Sequence, residues 1–135
     1  MALAPLHRGT DDSPFVALRE ATGGGYRAAM AACAHADVVV AMRLHALVFA
    51  ALAGTPVVGL SYDPKVTAMM DMLGQRDRLM PVEAARAEEI ADLVAGAVGD
   101  ADSIRTGLLA AASRLREKAR SEPAHACAEI GWARA

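Results

Sequence analysis

Aromatic side chains are scarce in this chain, with two Phe, two Tyr and one Trp among 135 residues. So few rings leave no platform on which nucleic-acid bases could stack. A surplus of one charge is also missing. Fourteen Lys and Arg against sixteen Asp and Glu give a formal net charge of −2. There is thus no electrostatic case for nucleic acid or an anionic membrane surface as partner. Cysteine is limited to Cys33 and Cys127, far apart and without CxxC spacing. They read as reduced thiols in a cytosolic protein. Residues 46–53 are continuously apolar but far too short for a membrane span. The N-terminus has neither the basic region nor the long apolar stretch of a signal peptide. A cytoplasmic protein is expected. What the chain has in quantity is apolar bulk, 54% of its residues in one domain's length, enough for an ordinary buried core.

The stretch DVVVAMRLHALVFAALAGTPVVGLSYDPK, residues 37–65, organises the rest. Residues 37–41 are β-branched and unbroken, as a strand buried on both faces would be. Residues 43–53 are too long and too rich in Ala and Leu for a strand, and Gly54 stands where a helix C-terminal glycine belongs. Residues 56–60 supply a second buried strand, its proline at the first position, where a lost donor matters least. Asp63 followed by Pro64 reads as an N-cap with proline at the first helical position, opening a helix to about Gly74. Two parallel strands joined by a helix make a βαβ unit.

The polar residues of that unit are oddly placed. Arg43 and His45 lie on the first turn of an otherwise apolar helix, and Lys65 on the first turn of the next. A helix N-terminus carries partial positive charge, so acidic residues are expected there. Both helix starts follow the carboxyl ends of parallel strands, the edge of an α/β sheet where ligands bind. Free backbone N–H groups together with Arg, Lys and His make a site for an anion.

Those residues carry a resemblance. Met42-Arg43-Leu44-His45, then Gly54-x-Pro56-Val57-Val58, then Ser61-Tyr62-Asp63-Pro64-Lys65-Val66 resemble the polysaccharide pyruvyl transferase family, of the bacterial cell-wall type. RLH and SYDPK are separate motifs at the spacing that family uses. The resemblance is close from about Ala36 to Gly74 and loose in the flanks. It implies an α/β, three-layer Rossmann-like domain with a small parallel sheet of three or four strands, the C-terminal half of a GT-B-like fold. It also implies the reaction: the enolpyruvyl unit of phosphoenolpyruvate passes to two hydroxyls of a cell-wall sugar, leaving a pyruvate ketal and releasing phosphate.

Along the rest of the chain, residues 2–6 read as a further strand running into a loop with His7 and Asp11 at the same sheet edge. Residues 14–21 suit a short helix with proline at its first position. The glycines after Thr22 follow a helix and lack GxGxxG spacing, so they are a connector. The family carries another strand there, which this chain lacks. Residues 26–35 form a helix with Tyr26, Met30 and Cys33 or Ala29 on one side and His35 suiting its carboxyl end. Val66, Met69, Met70 and Leu73 make the face of an amphipathic helix, its methionines core filler. Residues 79–82 suit a short edge strand. Residues 84–98 then form a helix packing through Ile90, Leu93, Val94, Ala97 and Val98. A final helix to about Arg120 packs through Ile104, Leu108, Leu109, Ala112 and Leu115. The expected organisation is a donor-binding domain over residues 1–120 and a tail over 121–135.

Phosphoenolpyruvate presents a phosphate and a carboxylate on one small skeleton, and its enol carbon must be protonated before a hydroxyl can add at C2. By resemblance, Arg43 and Lys65 clamp the anionic groups, Arg through paired contacts and Lys as a point charge. His45 supplies or relays the proton and is the catalytic candidate. Leu44, Tyr62 and His7 complete the substrate-binding set, with Ser61 able to add a hydroxyl contact. No metal or cofactor is expected; phosphoenolpyruvate is the donor substrate. The acceptor is a sugar or lipid-linked glycan. In the family its carboxylate partner comes from an N-terminal half, so this chain is expected to provide one wall of a two-walled cleft. An alternative from another class is a non-catalytic anion-binding or regulatory module derived from such an enzyme. A GT-B transferase using a nucleotide sugar is disfavoured, because no acidic residue stands in the expected ribose-binding position.

Overall fold

Two short parallel strands and the helix between them form the centre of the molecule, as the β-branched runs predict. The computed structural model describes residues 25–129, with side chains through residue 122. Helix α1 (Gly25–His35) leads into strand β1 (Val39–Ala41), helix α2 (Leu44–Ala53) and strand β2 (Val57–Ser61). Helix α3 (Pro64–Met72) crosses to strand β3 (Leu79–Pro81), and helices α4 (Ala87–Gly99) and α5 (Ala101–Glu129) follow. The strands lie in the order β1-β2-β3, parallel throughout. Val39 pairs with Val57 and Ala41 with Gly59, while Gly59 pairs with Leu79 and Ser61 with Pro81. This is a mixed α/β fold with five helices among the described residues, consistent with a Rossmann-like domain.

The local signals that shape the central unit are where the sequence puts them. Gly54 takes the left-handed conformation, φ 71°, and its N–H returns to Ala50 and Ala51. Only glycine adopts that geometry freely. The next residue carries the chain into β2. Thr55 N–H donates to the Ala50 carbonyl at 2.9 Å. Its buried hydroxyl donates to the Cys33 carbonyl at 2.8 Å, tying the end of α1 to the entry of β2. Helix α3 is capped by Asp63, with Pro64 in its first turn.

Alternation along a strand sends side chains to opposite faces. Ala41 and Val57 point into one core cluster with Leu47, Val66, Met70 and Leu73, joined by Ile104, Leu108 and Ala111 from α5. Helices α2 and α3 therefore cover the same face, as consecutive right-handed crossovers require. The sheet backbone comes close to α3 at Gly59, where an added Cβ would stand 3.0 Å from Met70 Cγ and 2.9 Å from Leu79 Cδ1.

Several expectations are corrected. Strand β1 is shorter than residues 37–41 and is not buried on both faces: Val40 is 40% exposed. It points away from α2, and among the described residues β1 pairs only with β2. Tyr26 lies on the exposed side of α1, which packs instead through Ala29 and Cys33. Val48 is half-buried. Val98 and Leu109 face solvent, while Ala97, Leu108 and Ala111 take the inward positions. Helix α5 runs on through Pro123 to Glu129 where a stop near Arg120 was expected; an interior proline removes its own N–H bond and the helix continues on both sides. The expected strand at 2–6 and helix at 14–21 lie outside the described residues.

Candidate functional site

Strands β1 and β2 run in register, so their carboxyl ends reach the same edge of the sheet, and α2 and α3 both start there. Arg43 is the residue that turns the chain from β1 into α2. Its backbone is extended, φ −98° and ψ 131°, and its side chain makes no capping bond. A guanidinium has donors only, so it cannot accept from the first turn's N–H groups. The start of α2 is therefore without a side-chain cap, and Arg43 stands exposed beside it. Among the described residues no hydrogen bond or ion pair engages its guanidinium.

His45 is exposed one residue inside α2, its ring 6.4 Å from that of Phe49 and tilted by 49°. Leu44, between the two polar residues, is half-buried. Tyr62 follows β2 and is 45% exposed. Lys65 lies in the first turn of α3, its ammonium 3.0 Å from Asp63 Oδ2. The other oxygen of that carboxylate, Oδ1, accepts the Lys65 backbone N–H at 2.9 Å. Those bonds, the backbone one first, hold the Asp63 carboxyl below its ordinary range. The hydrogen bond that the ammonium donates to Asp63, and then that carboxylate's charge, raise Lys65, aided by Tyr62, while burial and Arg43 push it down. Arg43, Tyr62 and Lys65 all follow the carboxyl ends of β1 and β2, at the same sheet edge. His7 and Asp11 lie outside the described residues.

A concave feature adjoins this edge. An open cleft of about 540 Å³ is lined by Ser61, Tyr62, Asp63 and Thr67 from the β2–α3 connection and by Pro81 and Glu83 after β3. The hydroxyls of Ser61 and Thr67 are 2.7 Å apart and bond to each other. Arg43, His45 and Lys65 are not in its lining, so the anion site expected from these three residues is not this cleft. Sequence reading assigned Asp63 to helix capping and missed its hold on Lys65. The signal available was the two-residue spacing of Asp and Lys across the proline. Among the described residues no cluster of His, Cys, Asp and Glu could hold a metal ion.

Residues 10–64 match the family model described as Polysaccharide pyruvyl transferase. Over that stretch the chain is similar to the polysaccharide pyruvyl transferase family. Arg43, Leu44, His45 and Tyr62 all lie inside the matched stretch, and Lys65 follows its last residue. No curated protein and no solved structure matches the chain. No described helix is long and apolar enough to cross a membrane.

Proposed function

We propose that this chain is a pyruvyl transferase, the donor-binding half of a GT-B-like enzyme. In this reading it takes phosphoenolpyruvate at the carboxyl edge of β1 and β2 and delivers the enolpyruvyl unit to a cell-wall sugar or lipid-linked glycan. The observation that carries the reading is the uncapped start of α2 with an exposed Arg43 beside it, at the same sheet edge as Tyr62 and Lys65. Backbone N–H groups and two cations of different geometry suit a ligand with both a phosphate and a carboxylate.

In the reaction, His45 donates or relays a proton to the enol carbon. C2 then becomes oxocarbenium-like, and one sugar hydroxyl adds there as its own proton leaves. Phosphate departs with the C2–O bond, and a second hydroxyl closes the ketal. Arg43 and Lys65 hold the anionic groups through these steps, and Tyr62 contacts the donor through its hydroxyl. Leu44 and His7 join the substrate contacts. No cofactor is required beyond the two substrates. The cytoplasm, where phosphoenolpyruvate is made, is the compartment this reading expects.

Titrating phosphoenolpyruvate into isotope-labelled protein tests the reading. The amide signals of residues 43–46 and of residues 62, 63, 65 and 66 should move together and saturate, and less strongly as salt rises. Arg43→Ala should abolish the effect. If those signals stay still while others move, the donor site lies elsewhere and the basic residues are surface charge.

A further inference from the structure

The carboxylate of Asp63 occupies the place an incoming anion would take at the start of α3. One oxygen accepts the backbone N–H of Lys65 at 2.9 Å, and the other holds its ammonium at 3.0 Å. These are the two kinds of donor that a helix N-terminus with an adjoining cation offers to a phosphate. We propose that Asp63 is an internal competitor of the donor's anionic group. It holds the Lys65 ammonium in the free protein and thereby sets how tightly phosphate and phosphoenolpyruvate bind. This rests on the assignment of Arg43 and Lys65 as donor-binding cations.

The geometry separates two roles of one side chain. The bond that Oδ1 accepts from the Lys65 N–H caps α3 and can persist when ligand binds. The contact from Oδ2 to the ammonium must open if Lys65 is to reach a phosphate. Their side chains are 31% and 56% exposed respectively, so the pair is screened by water and opens readily. Phosphoenolpyruvate, held also through its carboxylate, can displace the Asp63 carboxylate from the ammonium, whereas inorganic phosphate, the product, has no second anionic group and competes with that carboxylate alone. Asp63 thus acts as a positioning residue that favours product release.

Asp63→Asn and Asp63→Ser separate the roles, because both side chains can still cap α3 but neither carries the charge. Titration of the full chain with inorganic phosphate, at constant pH and low salt, should show both variants binding about two- to fivefold more tightly than wild type. In the same variants the Lys65 ammonium, followed through its ε-carbon signal, should titrate at lower pH than in wild type. Equal or weaker phosphate binding in both variants overturns the proposal, even if wild type binds phosphate at residues 43–46 and 65. If neither wild type nor the variants shift those signals, the donor-site assignment falls and the proposal falls with it.

Discussion

Gly59 shows how one residue can set the spacing of this fold. It is the centre of β2, and a side chain there would meet Met70 from α3 and Leu79 from β3 at 2.9–3.0 Å. Both neighbours are flexible side chains, so an added methyl group forces them to move without breaking the backbone. Gly59→Ala should destabilise the protein by about 1–3 kcal/mol, measured as a lower denaturant midpoint with an unchanged slope. An unaltered midpoint would mean that Met70 and Leu79 repack freely. Arg43 and His45 are informative at the same scale for a different reason. Their position on the first turn of an apolar helix was legible because local sequence rules expect acidic residues there. The spacing of Asp63 and Lys65 made their pairing possible but did not select it, because a long side chain has many rotamers.

Among the elements, α3 owes its start to Asp63, and that dependence has a pH signature. The folded-state pKa of Asp63 is lowered, chiefly by the Lys65 backbone N–H. Its contribution is therefore fully present above the unfolded carboxylate value and is lost as pH falls through the lower folded value. Lys65 is raised by the same partner, so its share is present below the ordinary ammonium value and is lost as pH rises through the raised one. The difference in thermal midpoint between wild type and Asp63→Ala should be widest near neutrality. It should close in acid, below about pH 4, and narrow only in part in alkali, where the backbone cap persists. A difference that stays constant through the acid range would show that the carboxylate charge has no part in holding α3. The end of α2 depends on Gly54 in a complementary way, through the left-handed turn that releases the chain into β2.

For the whole molecule, α2 is the hub. It packs against α1, both β1 and β2, α3 and α5, which explains why its sequence is apolar on every side. Leu47 is fully buried at its centre. Leu47→Ala should lower stability by about 2–5 kcal/mol, measured by denaturant unfolding. A loss well under about 1 kcal/mol, below the range for a fully buried leucine, would make α2 peripheral. The same packing keeps the proposed donor site rigid, since Arg43, Leu44 and His45 stand on the end of the best-anchored helix.

The sequence by itself determined the βαβ unit, its capping residues, the parallel strands expected at residues 37–41 and 56–60 and found at 39–41 and 57–61, and the basic residues at their carboxyl ends. These follow from local interactions: a period of two or 3.6 residues, a left-handed glycine, an Asp-Pro start. Only the tertiary structure decided which side of each element is covered. Val40, Tyr26, Val98 and Leu109 carry the same apolar signal as their buried neighbours, yet they face solvent. Periodicity marks the two sides of a strand or helix, but not which of them another element will meet. The tertiary structure also decided that Lys65 folds back on Asp63, and that the open cleft lies on the Tyr62–Glu83 side rather than around Arg43. The covered faces and the place of the cleft depend on distances between segments far apart in the chain, which no local pattern encodes.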